Sequence, residues 1–130
     1  MKIPENVADI PVTAKNYRDY LNKILSPLRN GDDIKLYLCS AALLEALLLR
    51  AIMAHGLDAS ERTLQGVCAT VSAPCPDESL DCLMNVECFT DEERVIVSPY
   101  LNFRAFSKAT QDNAIGAVGY CLRMFIIGRG

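Results

Sequence analysis

The longest apolar stretch in the chain, from Asp33 to His55, constrains the fold more than any other feature. It reads DIKLYLCSAALLEALLLRAIMAH and contains neither Gly nor Pro. Asp32 and Asp33 stand where a helix needs an N-cap acceptor, and Gly56 stands where a C′ glycine would end the helix. We therefore expect one helix over about 33–55, roughly 33 Å long. The plainly polar residues inside it are Lys35, Ser40, Glu45 and Arg50.

A helix of this kind predicts an all-α fold. At 100° per residue, Leu43 and Leu47 lie on one side while Leu38 and Ile52 lie on the opposite one, and a helix that is apolar nearly all round is buried nearly all round. We expect residues 1–130 to form a single helical domain of five or six helices packed round this central helix, after an extended lead-in over 1–12. The other helices are expected over 13–27, 60–71, from Pro76 through the low eighties, from Thr90, and over 112–127. Thr90 followed by Glu93 is a capping-box pattern, and Ser60 can cap the helix over 60–71. Residues 95–97 could be strand or helix.

The last of these helices contains two glycines, Gly116 and Gly119. Each costs a helix about 1 kcal/mol relative to Ala. Glycine in such a position allows another backbone to approach closely, and we expect that backbone to belong to the central helix.

A membrane span is the alternative interpretation of the stretch over 33–55. Glu45 and Arg50 would then lie near the middle of the bilayer, at a cost of roughly 3 kcal/mol each. They are about 140° apart round the helix and cannot easily neutralise each other. The flanking residues are acidic at both ends. A buried core helix is therefore favoured over a membrane span.

Composition limits the cellular setting and the partners. The net charge is −3 and the pI is about 5.1, which argues against a nucleic-acid-binding surface spread over the whole domain. The opening residues contain no apolar signal region, so a cytoplasmic location is expected. The six cysteines would then be reduced, without disulfides.

Charge is unevenly distributed along the chain. Residues 63–93 contain seven acidic side chains and no Lys or Arg, whereas residues 94–130 carry a net charge of +4. Acidic residues cluster at helix N-termini because the helix dipole favours them there. The other interpretation is that the acidic segment, 77–93, docks on the basic segment of the same chain or of a protein partner.

Cysteine spacing argues against a metal site. Cysteines between 68 and 88 are seven, seven and six residues apart, without a Cys-x-x-Cys pair, and the chain has one histidine. We expect no metal and no cofactor. Cys75 differs from the others because it lies in a Pro-flanked loop at an expected helix N-terminus, where a thiol can become reactive. It is our candidate for a reactive thiol.

Glu45 is the charge that is hardest to place. Its helix neighbours three and four residues away are Ala or Leu, so none of them can pair with it. A carboxylate on such a surface needs an arginine from elsewhere or acquires a raised pKa. Arg104 and Arg123, from the basic segment, are the candidate partners. Alternatively, Glu45 faces a solvent-filled seam.

One short motif resembles a known family. Arg50-Ala51-Ile52-Met53-Ala54-His55-Gly56 resembles the Arg-x4-His-Gly signature of HEPN-type domains, which are small helical bundles that often dimerise. In active members the arginine and histidine of two protomers form a metal-independent ribonuclease site. The resemblance therefore implies catalytic roles for Arg50 and His55, whose chemistry suits proton transfer and phosphate stabilisation. The alternative is that both residues stabilise the C-terminal end of a long helix.

These observations favour a protein that acts by association rather than as an enzyme. A homodimer is expected, because the helices over 34–55 and 113–127 are apolar on more faces than their short neighbours can cover. Two alternatives stay open: a HEPN-like RNA-cleaving protein or an inactive relative of one, and a bundle that binds an apolar small molecule in its core.

Overall fold

Helices make up nearly all of the regular structure in the computed structural model, which describes residues 10–74, 76–85 and 89–129, apart from the side chains of Asp77 and Arg129. Within these ranges there is no strand, only a lone bridge between Pro11 and Thr63. The all-α prediction is confirmed. The helices are α1 (Tyr17–Ile24), α2 (Ser26–Arg29), α3 (Ile34–Met53), α4 (Leu64–Val71), α5 (Pro76–Leu83), α6 (Val97–Arg104) and α7 (Lys108–Arg129), with 3₁₀ helices at Ser60–Arg62 and Glu93–Ile96.

The central helix begins where its sequence predicts. The Asp33 side chain accepts a hydrogen bond from the backbone N–H of Leu36 at 3.0 Å, which makes it the N-cap. The helix ends at Met53, two residues before the expected end, and Gly56 adopts a left-handed φ of 79°. Only glycine adopts this conformation readily, so Gly56 lets the chain turn away from the helix.

Arg62 caps the C-terminal end of α3 from outside the helix. Its Nη1 donates to the carbonyls of Ala51 and Ile52, both at 3.1 Å, and its Nη2 donates to the carbonyl of Ala54 at 2.7 Å. The last carbonyls of a helix lack intrahelical partners and carry its negative dipole end. One guanidinium therefore satisfies three of them and neutralises part of that charge.

The core is built round one side of α3, which packs most extensively against α7 and α6 and also contacts α1, α2, α4 and both 3₁₀ helices. Leu43, Leu44, Leu47 and Leu48 are at most 2% exposed, as expected, and Ile52 is half-buried. Truncating such a leucine to alanine costs about 2–5 kcal/mol, so these contacts dominate the stability of the bundle.

Several helix boundaries differ from the predicted ones. The first helix starts at Tyr17 rather than near Thr13, and α2 is a separate single turn, which accounts for the seventh helix. Thr63, not Ser60, caps α4 by accepting from Gly66 N at 3.2 Å. The start of α7 lies at Lys108 instead of Asp112, four residues early. Residues 95–97 are helical.

The prediction that the central helix closely approaches the two α7 glycines is wrong. A Cβ at Gly116 would meet no atom within 4 Å, so nothing approaches there among the described residues. A Cβ at Gly119 would lie 3.4 Å from Arg123 Nη1 and 3.6–3.7 Å from Ser72 and Val71. Gly119 therefore makes only ordinary van der Waals contacts with side chains at the end of α4 and with Arg123, and the central-helix backbone does not approach it.

By length and composition alone, α3 could cross a membrane, and it is the one helix in the described residues of which this is true. Half of its most apolar window is buried inside the bundle. Core helices of helical bundles pass the same test of length and composition.

Candidate functional site

One face of the central helix is left uncovered by the other residues that the structure describes. The residues on it recur at helical spacing over an arc of about 120°, which we call the α3 arc. Within it Ile34 is 69% exposed, Leu38 is 50% exposed and Met53 is 36% exposed. The members of the arc are Ile34, Lys35, Leu38, Ala41, Ala42, Glu45, Leu49, Ile52 and Met53. The prediction of a helix buried nearly all round is thus correct for the opposite side only.

Glu45 lies half-buried in the middle of the α3 arc and forms no ion pair with any described residue. The pairing with Arg104 or Arg123 that its sequence context suggests is not made within the chain. Arg104 Nη2 contacts Asp81 Oδ1 at 3.0 Å, and Arg123 Nη1 donates to Ser72 Oγ at 3.3 Å. The alternative interpretation, a carboxylate at a solvent-facing seam, fits its position.

Arg104 instead joins the acidic segment to the basic one. Its Nε donates to the Tyr100 hydroxyl and its Nη1 to Gln111 Oε1, both at 2.8 Å, while Asp81 on α5 accepts from both Arg104 and Tyr100. Burial raises the pKa of Tyr100, and its bond to Asp81 adds to this effect. The cluster fastens α5 to α6 and α7, so part of the acidic segment does dock on the basic segment of the same chain.

A second candidate site lies just beyond the C-terminal end of α3. His55 Nδ1 lies 2.9 Å from Glu93 Oε1, and the His55 backbone N–H donates to Glu93 Oε2 at 3.1 Å. The Thr90 hydroxyl donates to Glu93 Oε1 at 2.8 Å, and Thr90 Oγ1 accepts from the Glu93 backbone N–H at 3.3 Å. The predicted capping pair of Thr90 and Glu93 therefore also holds a buried carboxylate against the histidine.

This arrangement fixes the charge of Glu93 and the orientation of His55. Burial acts to raise the pKa of Glu93, but hydrogen bonds from His55 and Thr90 outweigh burial and lower it from 4.5 to about 2. An ionised carboxylate only accepts, so His55 must donate from Nδ1. The His55 side chain is 69% exposed, which leaves Nε2 available to solvent. A histidine oriented by a carboxylate in this way can transfer protons.

Arg50 lines the same cleft as His55 and Glu93, a space of about 230 Å³. Its side chain is 10% exposed, and its Nη2 lies 3.9 Å from Glu61 Oε2. Burial lowers the pKa of Arg50, and Glu61 partly offsets that effect. The structure thus brings together the two residues of the Arg-x4-His motif. The cleft would offer an anionic ligand one guanidinium and one imidazole.

The candidate thiol, Cys75, lies outside the described residues. Cys39, Cys68, Cys82 and Cys121 are free cysteines. Burial raises the pKa of the Cys39 thiol to about 11, so that residue is a weak nucleophile. Cys82 is exposed and lies at the edge of the cleft that contains His55.

The described residues supply no support for a ligand inside the core or for a metal. A cleft of about 630 Å³ is a surface groove between the first 3₁₀ helix and α4, with Ser60, Gly66 and Thr70 among its lining residues. No group of three His, Cys, Asp or Glu side chains in the described ranges could hold a metal ion. Binding of an apolar molecule in the core stays a prediction without a site.

Two contacts at the C-terminal end of α3 could not be predicted from the sequence. Glu93 is 38 residues from His55, and the Thr90–Glu93 pattern suggested only a local cap. Arg62 caps α3 from the far side of a turn. Neither contact has a local sequence signature, because both are made by the tertiary fold.

Compared with protein-family models, with curated proteins and with solved structures, the chain matches none of them. Its function must therefore be inferred from the α3 arc and the His55 cleft.

Proposed function

We propose that this protein works by self-association, with the α3 arc as its docking surface. The observation that supports this proposal is the exposure of two large apolar side chains on the α3 arc. Ile34 is 69% exposed and Leu38 is 50% exposed. Fully burying an aliphatic side chain of this size contributes about 1.5–3 kcal/mol. A strip of such residues along a rigid helix is an interface that a partner can cover at low conformational cost.

A second copy of the chain is the partner that the proposal names. Most soluble oligomers are homo-oligomers with two-fold symmetry, and in such a dimer the same surface is used twice. The α3 arc suits this use because it is a straight helical face flanked by half-buried small residues, Ala41 and Ala42. Small residues at the centre of a helix face let a second helix approach closely.

A matched pair of substitutions tests this proposal. Ile34 and Ile127 are the same residue type and are 69% and 71% exposed, but Ile127 lies on α7. We expect wild type to have the mass of a dimer by light scattering across the micromolar range. Ile34→Glu should be monomeric there, while Ile127→Glu should remain dimeric. A monomeric wild type would refute the proposal, and loss of the dimer only in Ile127→Glu would place the interface on α7.

A second candidate function is supported by the contact between His55 and Glu93. General acid–base cleavage of a phosphodiester needs a proton-transferring group near neutral pH and a cation for the phosphate. His55, held by ionised Glu93, and Arg50, in the same cleft, are residues of these two types. This is the function that the resemblance to HEPN-type domains implies.

Cleavage of RNA in the presence of a metal chelator tests the second candidate. If it holds, wild type should cleave, His55→Ala should be inactive, and Glu93→Gln should lose most of its activity because the imidazole is no longer oriented or charge-stabilised. Glu92→Gln serves as a matched control and should keep full activity, since Glu92 is exposed, precedes Glu93 in the chain and does not line the cleft. If folded wild type does not cleave RNA, the second candidate function is refuted and self-association is the one that remains.

A further inference from the structure

The α3 arc carries two charged residues, Lys35 and Glu45, and all its other members are Ile, Leu, Ala or Met. The two are ten residues apart, which corresponds to about 15 Å along the helix, so they cannot pair with each other. Neither forms an ion pair within the described chain. In an interface built from this arc, both charges must therefore find partners on the second copy or be buried without one.

Two-fold symmetry leaves few ways to place these charges. If the two α3 helices run parallel, Glu45 faces the partner's Glu45. If they are antiparallel and overlap along their full length, the two glutamates lie about 5 Å apart along the axis. Like charges brought together in an interface cost several kcal/mol. Both arrangements are therefore disfavoured.

We propose that the dimer, which rests on the proposed function, is antiparallel with its two-fold axis beside position 40 of α3. In this register, residue 35 faces residue 45 of the other copy. Each Glu45 then lies opposite the partner's Lys35, which forms two ion pairs at the edges of the interface. The Glu45 carboxylate, which forms no ion pair with the described residues of its own chain, then acquires a partner.

The same register also matches large side chains to small ones. Leu38 faces the partner's Ala42, and by symmetry Ala42 faces the partner's Leu38. Leu38 is 50% exposed, whereas Ala42 is half-buried between its neighbours. A protruding leucine over an alanine allows the ridge of one helix to fill the groove of the other. Leu49 and Ile52 then lie beyond the N-terminal end of the partner's α3.

This register separates the two copies of the His55 cleft. Positions 55 lie on opposite sides of the two-fold axis, about 45 Å apart along the helix direction. A composite site built from the Arg50 and His55 of two protomers would need these residues to meet. The dimer proposed here therefore keeps each His55 cleft within one chain.

Charge reversal with rescue tests the register. The variants are Lys35→Glu, Glu45→Lys and the double exchange of both, with the dimer dissociation constant measured by sedimentation equilibrium. We expect each single reversal to weaken the dimer about tenfold or more, because symmetry converts two attractive pairs into two repulsive ones. The double exchange should restore the affinity of wild type to within about threefold. Lys23→Glu, on α1 outside the arc, is the control and should have no effect.

Each other outcome has a distinct meaning. A wild type that is monomeric throughout refutes self-association and this inference with it. A dimer that both single reversals weaken, without rescue by the double exchange, keeps the α3 arc as the interface but overturns the register. A dimer that none of the variants changes places the interface elsewhere and overturns both. Circular dichroism of every variant confirms that the helices are intact.

Discussion

Removing the external cap of the central helix should measurably destabilise the fold. Arg62→Ala deletes three hydrogen bonds from one guanidinium to the carbonyls of Ala51, Ile52 and Ala54. A hydrogen bond to a charged group contributes about 1.5–3 kcal/mol, but Arg62 is only half-buried, so water can replace part of each bond. We expect a loss of roughly 2–3 kcal/mol in the free energy of unfolding, a large share of the stability of a domain of this size.

Two further variants separate the contributions to this loss. Arg62→Lys keeps a positive charge at the negative end of the helix dipole but cannot reach three carbonyls at once. It should recover only about 0.5–1 kcal/mol. Arg29→Ala removes an exposed arginine from the end of α2 and should change stability by less than about 0.5 kcal/mol.

Urea unfolding followed by circular dichroism, at one fixed protein concentration, measures these differences. The slope of free energy against urea should be unchanged, because the variants leave the core intact. If Arg62→Ala unfolds within about 0.5 kcal/mol of wild type, water already satisfies the end of α3 and the capping role is refuted.

Three other substitutions follow from individual contacts. Ser40→Ala should stabilise the protein by about 1 kcal/mol in the same assay, since the Ser40 hydroxyl is buried with no hydrogen-bond partner in the described residues; a loss of stability would contradict this. Gly66→Ala should destabilise it by about 1–3 kcal/mol, because the new Cβ would overlap the Ser60 carbonyl oxygen; a neutral effect would contradict it. Glu93→Gln should lower stability most near neutral pH: the pKa of Glu93 is about 2 in the fold and 4.5 without its partners, so its ionised form stabilises the fold fully above pH 4.5. The difference in unfolding free energy between wild type and Glu93→Gln should therefore shrink as the pH falls from 4.5 to 2. A difference that does not change with pH would refute the stabilising role of ionised Glu93.

Local sequence patterns predicted the parts of the fold that local physics determines. Asp33 is the cap of the central helix, Gly56 has positive φ, and Pro76 starts α5, because each effect depends on residues within one turn. The burial of α3 was expected nearly all round because its sequence is apolar nearly all round, and that pattern does not distinguish the buried side from the exposed one. It could not show that Ile34 and Leu38 remain exposed, since that depends on how many neighbouring helices reach them.

The candidate site was only half predictable for the same reason. The Arg50–His55 spacing is visible in the sequence, and the structure brings both residues to one cleft. The pairing of His55 with Glu93 depends on how the second 3₁₀ helix packs on α3, and the pairing of Asp81 with Arg104 depends on how α5 docks. Long-range contacts of this kind leave no periodic signal.

The native mass in solution is the most direct test of the proposal that this helical bundle acts through an uncovered face of its central helix. The chain has a mass of 14.3 kDa, so a dimer should give twice that value by light scattering or sedimentation. We expect the dimer mass for wild type and the 14.3 kDa mass for Ile34→Glu. A wild type that remains at 14.3 kDa throughout the micromolar range would contradict the proposed function.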